Sequence, residues 1–324
     1  MRQGGVAAYG RGDSLWGTQA PSSKRGGGQC GGTVDAYNHT PEDTPIAMAL
    51  PTTCIGDVTV TRLACGSNSF FGFSHLTAAR DAWLKRHFGD DGRLYEMFAC
   101  CARLGINLFV SGLQPRFAKM RERLRDETGH WINWACTPSG NSLAELKEGI
   151  NQCRDWGVEI CPPHTSYIER NLDLRNREIT ELPEALDYIR DQGMVPGIST
   201  HRPEAVPLVI EQGYDVETCI LPLNALGFLC QVEIEWQERI IRQCPKPIIV
   251  IKPLAAGRIT PVPGFTFVYE RIKPTDTVAV GVMAPEELEE DVAIVEGLLS
   301  GQPAELSLST SRSKAHMGTA PASG

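Results

Sequence analysis

The feature that most constrains the fold is an alternation of short apolar runs with amphipathic stretches, repeated eight times between residues 53 and 301. Apolar runs rich in β-branched residues predict buried strands, and stretches with a 3.6-residue period predict helices. The predicted strands are Val60–Cys65, Asn107–Ser111, Ile132–Thr137, Val158–Pro162, Val195–Ser199, Thr218–Leu221, Ile248–Lys252 and Thr277–Gly281. The predicted helices are Arg93–Leu104, Pro115–Glu127, Ser142–Trp156, Glu181–Gln192, Pro203–Gln212, Glu233–Cys244, Thr266–Ile272 and Pro285–Leu299. Eight strand-helix units predict an α/β fold, the closed (β/α)8 TIM barrel.

The residues at the helix ends agree with this division. Four predicted helices are followed by a glycine, which favours the left-handed conformation that ends a helix; these are Gly105, Gly157, Gly193 and Gly213. Ser142 and Glu145 have the spacing of a capping box, and Pro203 and Pro285 are expected in first turns. The alternative fold, an open doubly wound sheet, requires a Gly-x-Gly-x-x-Gly turn, and the segment Cys65–Asn68 lacks its second glycine.

The two ends of the chain have a different composition. Residues 1–52 are rich in Gly, Ser, Thr and Pro without hydrophobic periodicity, and residues 302–324 are rich in Ser, Ala and Gly. Such segments bury too little apolar surface to fold, so we expect a disordered leader and a flexible tail. Met48 lies just before the folded part, and we expect that translation starts near it.

Composition excludes several classes of partner. The net charge of −8 leaves no basic surplus to neutralise phosphates, so a nucleic-acid partner is not expected. No apolar run approaches the roughly 20 residues that span a bilayer, so no membrane partner is expected either. Eleven cysteines, several within apolar strands, indicate buried thiols in a reducing compartment, and we predict a cytoplasmic protein. The expected partner is a small-molecule ligand, and the sequence gives no oligomeric state.

Candidate catalytic residues follow the predicted strands, because barrel enzymes carry their chemistry at the carboxyl ends of the strands. His75, His164, His201 and Lys252 follow the first, fourth, fifth and seventh strands, and we expect them at one rim. Each histidine also has a plain structural interpretation, a hydrogen bond to a loop carbonyl. A zinc site from the three histidines is conceivable, but no His-x-His or His-x-x-x-His spacing supports it, and no metal is predicted.

Lys252 has two interpretations, because it ends a strand that is otherwise apolar. A desolvated lysine has a lowered pKa and acts as a base or forms a Schiff base. The alternative is a structural ion pair with a carboxylate at a strand end. Glu159, inside the fourth predicted strand, is expected to point into the helix-packed layer or the barrel core. The small residues Ala255–Gly257, followed by Arg258, form a plausible cradle for an anion.

The chain from about Val58 to Leu299 resembles the aldo-keto reductases, which are (β/α)8 barrels that use a nicotinamide cofactor. The matching stretches are Thr61–Gly66, Leu104–Phe109, Gly197–Glu204, Lys252–Gly257 and Ala284–Val292. The resemblance implies that NAD or NADP binds at the strand ends. The residues that we assign to the cofactor are Ser199, Thr200, Asn224, Lys252, Ala255, Gly257 and Arg258.

The resemblance also implies an active site of Asp, Tyr, Lys and His, and most of it is absent here. The family's His falls on His164, its Asp falls on Val110, and its Lys falls on Cys136 or Thr137. The family's catalytic Tyr has no counterpart in this sequence. A second Tyr of the family, which stacks on the nicotinamide ring, is replaced here by Ile251. Carbonyl reduction needs a proton donor beside the hydride acceptor, so the usual reductase chemistry is not expected.

Three functions remain open from the sequence. The first is an oxidoreductase that binds NAD or NADP and acts on a small carbonyl or alcohol, with the histidines transferring protons. The second is a lyase or isomerase without redox chemistry, in which Lys252 is the base or the Schiff-base former. The third is an inactive binding or scaffold barrel, which the missing active-site residues fit without further assumptions.

Overall fold

Eight parallel strands close into a barrel in the computed structural model of the chain, which describes residues 50–302. The strands are β1 (Thr52–Ile55), β2 (Val58–Thr61), β3 (Leu63–Gly66), β4 (Leu108–Gly112), β5 (Asn133–Thr137), β6 (Ile160–Cys161), β7 (Leu172–Asp173), β8 (Glu178–Ile179), β9 (Val195–Ser199), β10 (Thr218–Pro222), β11 (Ile248–Ile251) and β12 (Thr277–Gly281). The helices are α1 (Ala78–His87), α2 (Asp91–Arg103), α3 (Pro115–Thr128), α4 (Leu143–Asp155), α5 (Thr165–Asn171), α6 (Leu182–Asp191), α7 (Ala205–Glu211), α8 (Ile234–Gln243), α9 (Pro261–Tyr269) and α10 (Pro285–Ser300).

The barrel consists of β3, β4, β5, β6, β9, β10, β11 and β12, and neighbours around the ring follow the order of the chain. This confirms the predicted (β/α)8 barrel. The remaining strands form two antiparallel hairpins, β1–β2 and β7–β8. The predicted leader and tail lie outside the described residues, apart from the short stretch in which Leu50 is buried and Thr52 begins β1.

The predicted first strand, Val60–Cys65, is wrong in its extent. β2 ends at Thr61, and Arg62 turns the chain into β3, so the first half of the prediction belongs to a hairpin. Tertiary hydrogen bonds fix this break: the Thr61 amide donates to the Asn107 side chain at 2.7 Å, and the Arg62 amide donates to the carbonyl of Pro51 at 2.8 Å. The hairpin closes the amino-terminal end of the barrel.

The helix signals are mostly confirmed. Gly105, Gly157, Gly193 and Gly213 all have left-handed backbone angles. The Ser142 hydroxyl accepts a hydrogen bond from the Glu145 amide, while the Glu145 carboxylate accepts from the amide of Asn141 rather than of Ser142. Two positions are corrections: Pro203 lies in the turn before α7, and α9 begins at Pro261, five residues before the predicted start.

The core has two layers that alternate along the strands. Side chains facing the barrel interior form a small cluster, closed from below by Ile55 and Val60 of the hairpin. Side chains facing outward pack against the helices in the larger cluster. The outward set includes four fully buried cysteines without disulfides, as predicted, namely Cys65, Cys136, Cys161 and Cys219. Among residues 50–302, no helix combines the length and the hydropathy that a bilayer crossing requires.

Glu159 is a structural residue at the amino end of the barrel, just before β6. Its carboxylate binds the Arg121 guanidinium at 2.8 Å and also accepts hydrogen bonds from the Trp131 indole and the Trp134 amide. The Arg121 side chain is 1% exposed, and its remaining donors reach backbone carbonyls that include that of Ile132. Of the two expected positions for Glu159, the helix-packed layer is confirmed and the barrel core is wrong, because its carboxylate pairs with the buried Arg121 of α3.

Candidate functional site

Lys252 and His75 form the centre of the candidate site at the carboxyl ends of the strands. The Lys252 Nζ lies 2.8 Å from the His75 Nε2, which is also 3.0 Å from the Asn68 Nδ2. An ammonium and an amide nitrogen both donate, so Nε2 is the acceptor and the ring is neutral with its proton on Nδ1. Partial burial, the Lys252 charge and the His201 charge lower the pKa of His75, in agreement with a neutral ring.

The backbone turns sharply where these two residues lie. β11 ends at Ile251, and Lys252 has a φ of 64°, while His75 has a φ of 56°. Left-handed angles are costly for residues with long side chains and persist only where the surrounding structure imposes them. Ala255 and Ala256 also have positive φ, so the loop after β11 is a tight turn of small residues. This turn places the lysine at the rim rather than in the strand.

Lys252 has no carboxylate partner among residues 50–302. The described lysines that do pair with carboxylates are Lys147, Lys246 and Lys273. The alternative in which Lys252 forms a structural ion pair therefore does not apply to the described residues. Burial lowers the pKa of Lys252 to about 8 from 10.5. The amine is therefore much closer to neutrality at physiological pH than an ordinary lysine.

Arg258 contacts the backbone of His75. Its Nη2 donates to the carbonyl of His75 at 3.1 Å, and its Nη1 donates to the carbonyl of Ala255 at 3.0 Å. The guanidinium also lies over the Phe228 ring, 4.4 Å from its centroid. Arg258 remains exposed at the rim, and none of the described carboxylates pairs with it. The side chain is thus a fixed cation without an anionic partner in residues 50–302.

Glu169 and His201 form a second polar group at the rim. The Glu169 carboxylate accepts hydrogen bonds from the His201 amide at 2.7 Å and from the hydroxyls of Thr165 and Thr200 at 2.8 and 3.2 Å. It also lies 4.0 Å from the His201 Nδ1. Burial opposes the charge of Glu169, but these hydrogen bonds outweigh it and lower its pKa. Burial lowers the pKa of His201, while the Glu169 carboxylate opposes that shift.

His164 completes the predicted set. Its Nδ1 accepts a hydrogen bond from the Ser166 amide at 3.2 Å, so the ring caps α5 and carries its proton on Nε2 when neutral. Burial and the charge of His201 lower the pKa of His164. The charges of His201 and Lys252 in turn lower the pKa of His75. The four predicted residues are therefore linked at one rim: His75, His201 and Lys252 interact with one another, and His164 interacts with His201.

The residues predicted to bind a nicotinamide cofactor are only partly available. The Thr200 hydroxyl donates to Glu169, and Ser199 is 7% exposed. Asn224 is fully buried, and its side-chain amide bonds the amides of Leu226 and Phe228 and the carbonyl of Phe228, so it holds its own loop. Gly257 differs, because a side chain there would meet no atom within 4 Å. The amide-binding positions do not fit the carboxamide of a nicotinamide, whereas the turn leaves space for a ligand.

The positions of the family's active-site residues are apolar or small. Val110 and Ile251 pack in the interior cluster of the barrel, below the rim. Cys136 packs outward among the helices, and Thr137 bonds the carbonyl of Ser111, so neither replaces the family's lysine. The floor of the site is therefore apolar, in line with the burial that lowers the pKa of Lys252.

Sequence reasoning missed Glu169, because α5 was not predicted. In the described part of the chain, no three His, Cys, Asp or Glu side chains lie close enough together to hold a metal ion, and this applies to the three rim histidines as well. The only sequence signal for Glu169 was its place in the loop after β6, which barrel chemistry makes a candidate position.

Comparison with solved structures supports the same fold. No protein-family model matches the chain, and no curated protein matches it. A structure from Pseudomonas aeruginosa assigned as an aldo-keto reductase shares 19% identity with a TM-score of 0.57, covering 78% of this chain and 96% of that chain. An aldo-keto reductase from Bacillus halodurans, in its holo form, shares 14% identity with a TM-score of 0.54, covering 76% of this chain and 90% of that chain.

A third similar structure is a glycerol dehydrogenase from Gluconobacter oxydans, which shares 14% identity with a TM-score of 0.50 and covers 81% of this chain and 99% of that chain. Identities this low establish the architecture and leave the chemistry open. The chain therefore has the barrel fold of the aldo-keto reductases.

Proposed function

We propose that the chain is an enzyme that acts on a small carbonyl compound at the rim of the barrel, with Lys252 as the residue that attacks the carbonyl carbon. One observation carries the proposal: a half-buried lysine, held in a left-handed conformation, has an imidazole and no carboxylate as its described partner. A buried amine without a counterion is the arrangement that Schiff-base enzymes use.

The first step requires a neutral amine. His75 accepts the hydrogen bond from the Lys252 nitrogen, so a proton leaves the ammonium along this contact of 2.8 Å. The nitrogen lone pair then forms a bond to the carbonyl carbon, and the carbonyl oxygen takes up the two protons that the amine nitrogen loses and leaves as water. The product is an imine on Lys252, in which the former carbonyl carbon attracts electrons from its neighbour.

His201 and Glu169 supply the acid and base of the later steps. The carboxylate fixes the His201 backbone and lies near its ring, and it opposes the fall in the ring's pKa. The pKa of His201 nevertheless lies below its ordinary value because burial dominates, so the neutral ring is available to accept a proton. Loss of a proton or of a carbon group beside the imine would make the enzyme an isomerase or a lyase. Both reactions, isomerisation and cleavage, would proceed through the same imine on Lys252.

Trapping of the imine tests this proposal. The full chain is incubated with a panel of small aldehydes and ketones and with borohydride, and the modified lysine is located by peptide mass spectrometry. We expect modification at Lys252, its absence in Lys252→Met, and no change in the exposed control Lys119→Met. Uniform labelling of all surface lysines, with no preference for Lys252, would refute the proposal.

A nicotinamide-dependent oxidoreductase is the second candidate. The likeness of the fold to aldo-keto reductases and the open turn at Gly257 favour it. The turn Ala255–Gly257, with Arg258, would then face the cofactor's phosphates, and the cofactor would supply hydride. Within such a site Lys252, largely an ammonium at pH 7, would donate a proton to the substrate oxygen.

Fluorescence titration with NADH and NADPH tests the second candidate. Saturable binding that Arg258→Gln weakens would support it, because Arg258 would face the phosphates of the cofactor. Absence of binding by both forms eliminates it and leaves the lysine chemistry. If carbonyl trapping fails as well, the interpretation as an inactive binding barrel remains.

A further inference from the structure

We propose that the rim site is selective for carbonyl compounds that carry a negative charge, a carboxylate or a phosphate, and that Arg258 binds this charge. The inference deepens the proposed function and rests on it. It arises from two cations that contact His75 and have no carboxylate partner among residues 50–302: Lys252 contacts the ring, and Arg258 contacts the backbone carbonyl. Two unpaired cations at one site leave a positive charge that an anionic ligand would balance.

Arg258 is prepared for such a ligand. The carbonyls of His75 and Ala255 each accept one of its hydrogen bonds, and the Phe228 ring supports the guanidinium plane. A guanidinium has five N–H donors, so these two bonds leave others for a carboxylate or a phosphate. Because the side chain is already fixed, binding an anion costs little additional conformational entropy. Its exposure at the rim leaves it accessible from solvent.

The nearby carboxylates do not neutralise the two cations. Asp81 accepts hydrogen bonds from the amide and hydroxyl of Ser74, and its charge acts to raise the pKa of His75. Glu169 is held by the His201 amide and by threonine hydroxyls on the other side of the rim. The site is therefore divided into an acidic part, suited to proton transfer, and a cationic part, suited to an anion.

The reaction at Lys252 is unchanged by the anion. The amine nitrogen bonds to the carbonyl carbon, the oxygen leaves as water, and a hydride from added cyanoborohydride converts the imine into a stable secondary amine. The anionic group on the same molecule remains bound to Arg258. Its contribution appears as a lower concentration of carbonyl compound for half-maximal labelling.

Matched pairs of carbonyl compounds test the inference on the full chain. Pyruvate is compared with acetone, and dihydroxyacetone phosphate with dihydroxyacetone, with cyanoborohydride as the reductant. Labelling of Lys252 is normalised to that of Nα-acetyllysine in the same tube, which corrects for intrinsic reactivity. We expect the anionic member of at least one pair to label Lys252 at about tenfold lower concentration, as for one charge-assisted hydrogen bond. The pair that shows the preference identifies the anion.

Variants assign the preference to its residue. Arg258→Gln should abolish the preference, measured as the ratio of charged to neutral labelling within that variant, and Arg258→Lys should retain part of it. Arg239→Gln, an exposed arginine on α8, should have no effect. Equal labelling by charged and neutral compounds in the unchanged chain would overturn the inference and leave the proposed function intact. Failure of every compound to label Lys252 would instead refute the proposed function.

Discussion

The lowered pKa of Lys252 gives the sharpest test, because a single substitution should reverse it. A pKa of about 8 leaves roughly a tenth of the amine neutral at pH 7, whereas a pKa of 10.5 leaves about one part in three thousand. A carboxylate placed at residue 75 would stabilise the ammonium. We expect His75→Asp to raise the pKa of Lys252 by about 1–3 units, since an opposite charge at this distance has that effect. The neutral fraction at pH 7 then falls about tenfold or more.

The matched control is His75→Asn. Residue 75 has a left-handed backbone, which asparagine and aspartate adopt more readily than most residues, so both variants should keep the loop. They have nearly the same shape and differ in charge alone. Any difference between them therefore reports electrostatics and excludes a loss of packing.

Competitive labelling of lysines with acetic anhydride over a pH series provides the assay. The rate at Lys252, read by peptide mass spectrometry, should reach half its maximum near pH 8 in the unchanged chain and at higher pH in His75→Asp. His75→Asn should stay within one unit of the unchanged chain. A midpoint above pH 10 in the unchanged chain, or the same midpoint in both variants, would refute the account of the site.

Three further predictions concern the charges around the site and below it. Burial lowers the pKa of Lys252, so the unfolded chain binds more protons than the folded chain between about pH 8 and 10.5, and stability rises with pH through that window. Below pH 8, denaturant unfolding should show that Lys252→Met is more stable than the unchanged chain by up to about 3 kcal/mol. This difference should shrink as the pH rises above 8. Glu169→Gln should lower the pKa of His201 further, because the carboxylate supports its charged form, and an NMR titration would show an unchanged value if this were wrong. Glu159→Gln should cost about 3 kcal/mol of stability by leaving Arg121 unpaired, without changing the labelling of Lys252 in folded protein.

The barrel could be predicted because its signal is local and repeated. Each parallel strand is buried on both faces, so it appears as an apolar run, and β9 and β12 match their predicted bounds. The hairpin could not be predicted, because Val60–Cys65 contains no Gly or Pro to signal a turn, and a single arginine does not by itself end a strand. The break at Arg62 depends on Asn107, which lies 46 residues from Thr61 in the sequence.

The candidate site was predictable in its members and not in its contacts. The histidines and Lys252 follow strands, and the topology alone brings strand ends together. Their pairing depends on left-handed angles at His75 and Lys252, and neither residue is a glycine that would signal such an angle. Glu169 was missed because α5 spans only seven residues, too few for a periodic apolar pattern.

Val110 and Ile251, at two positions where the aldo-keto reductases have polar active-site residues, bear on the pKa of Lys252. A carboxylate at Val110 or a phenol at Ile251 would add a polar group to the barrel interior below Lys252, and would favour its charged form by solvation or by direct attraction. With valine and isoleucine there, the floor of the site is apolar, and burial alone lowers the pKa of the amine. Valine and isoleucine at these two positions therefore keep the surroundings of Lys252 apolar, which is what the proposed nucleophile needs.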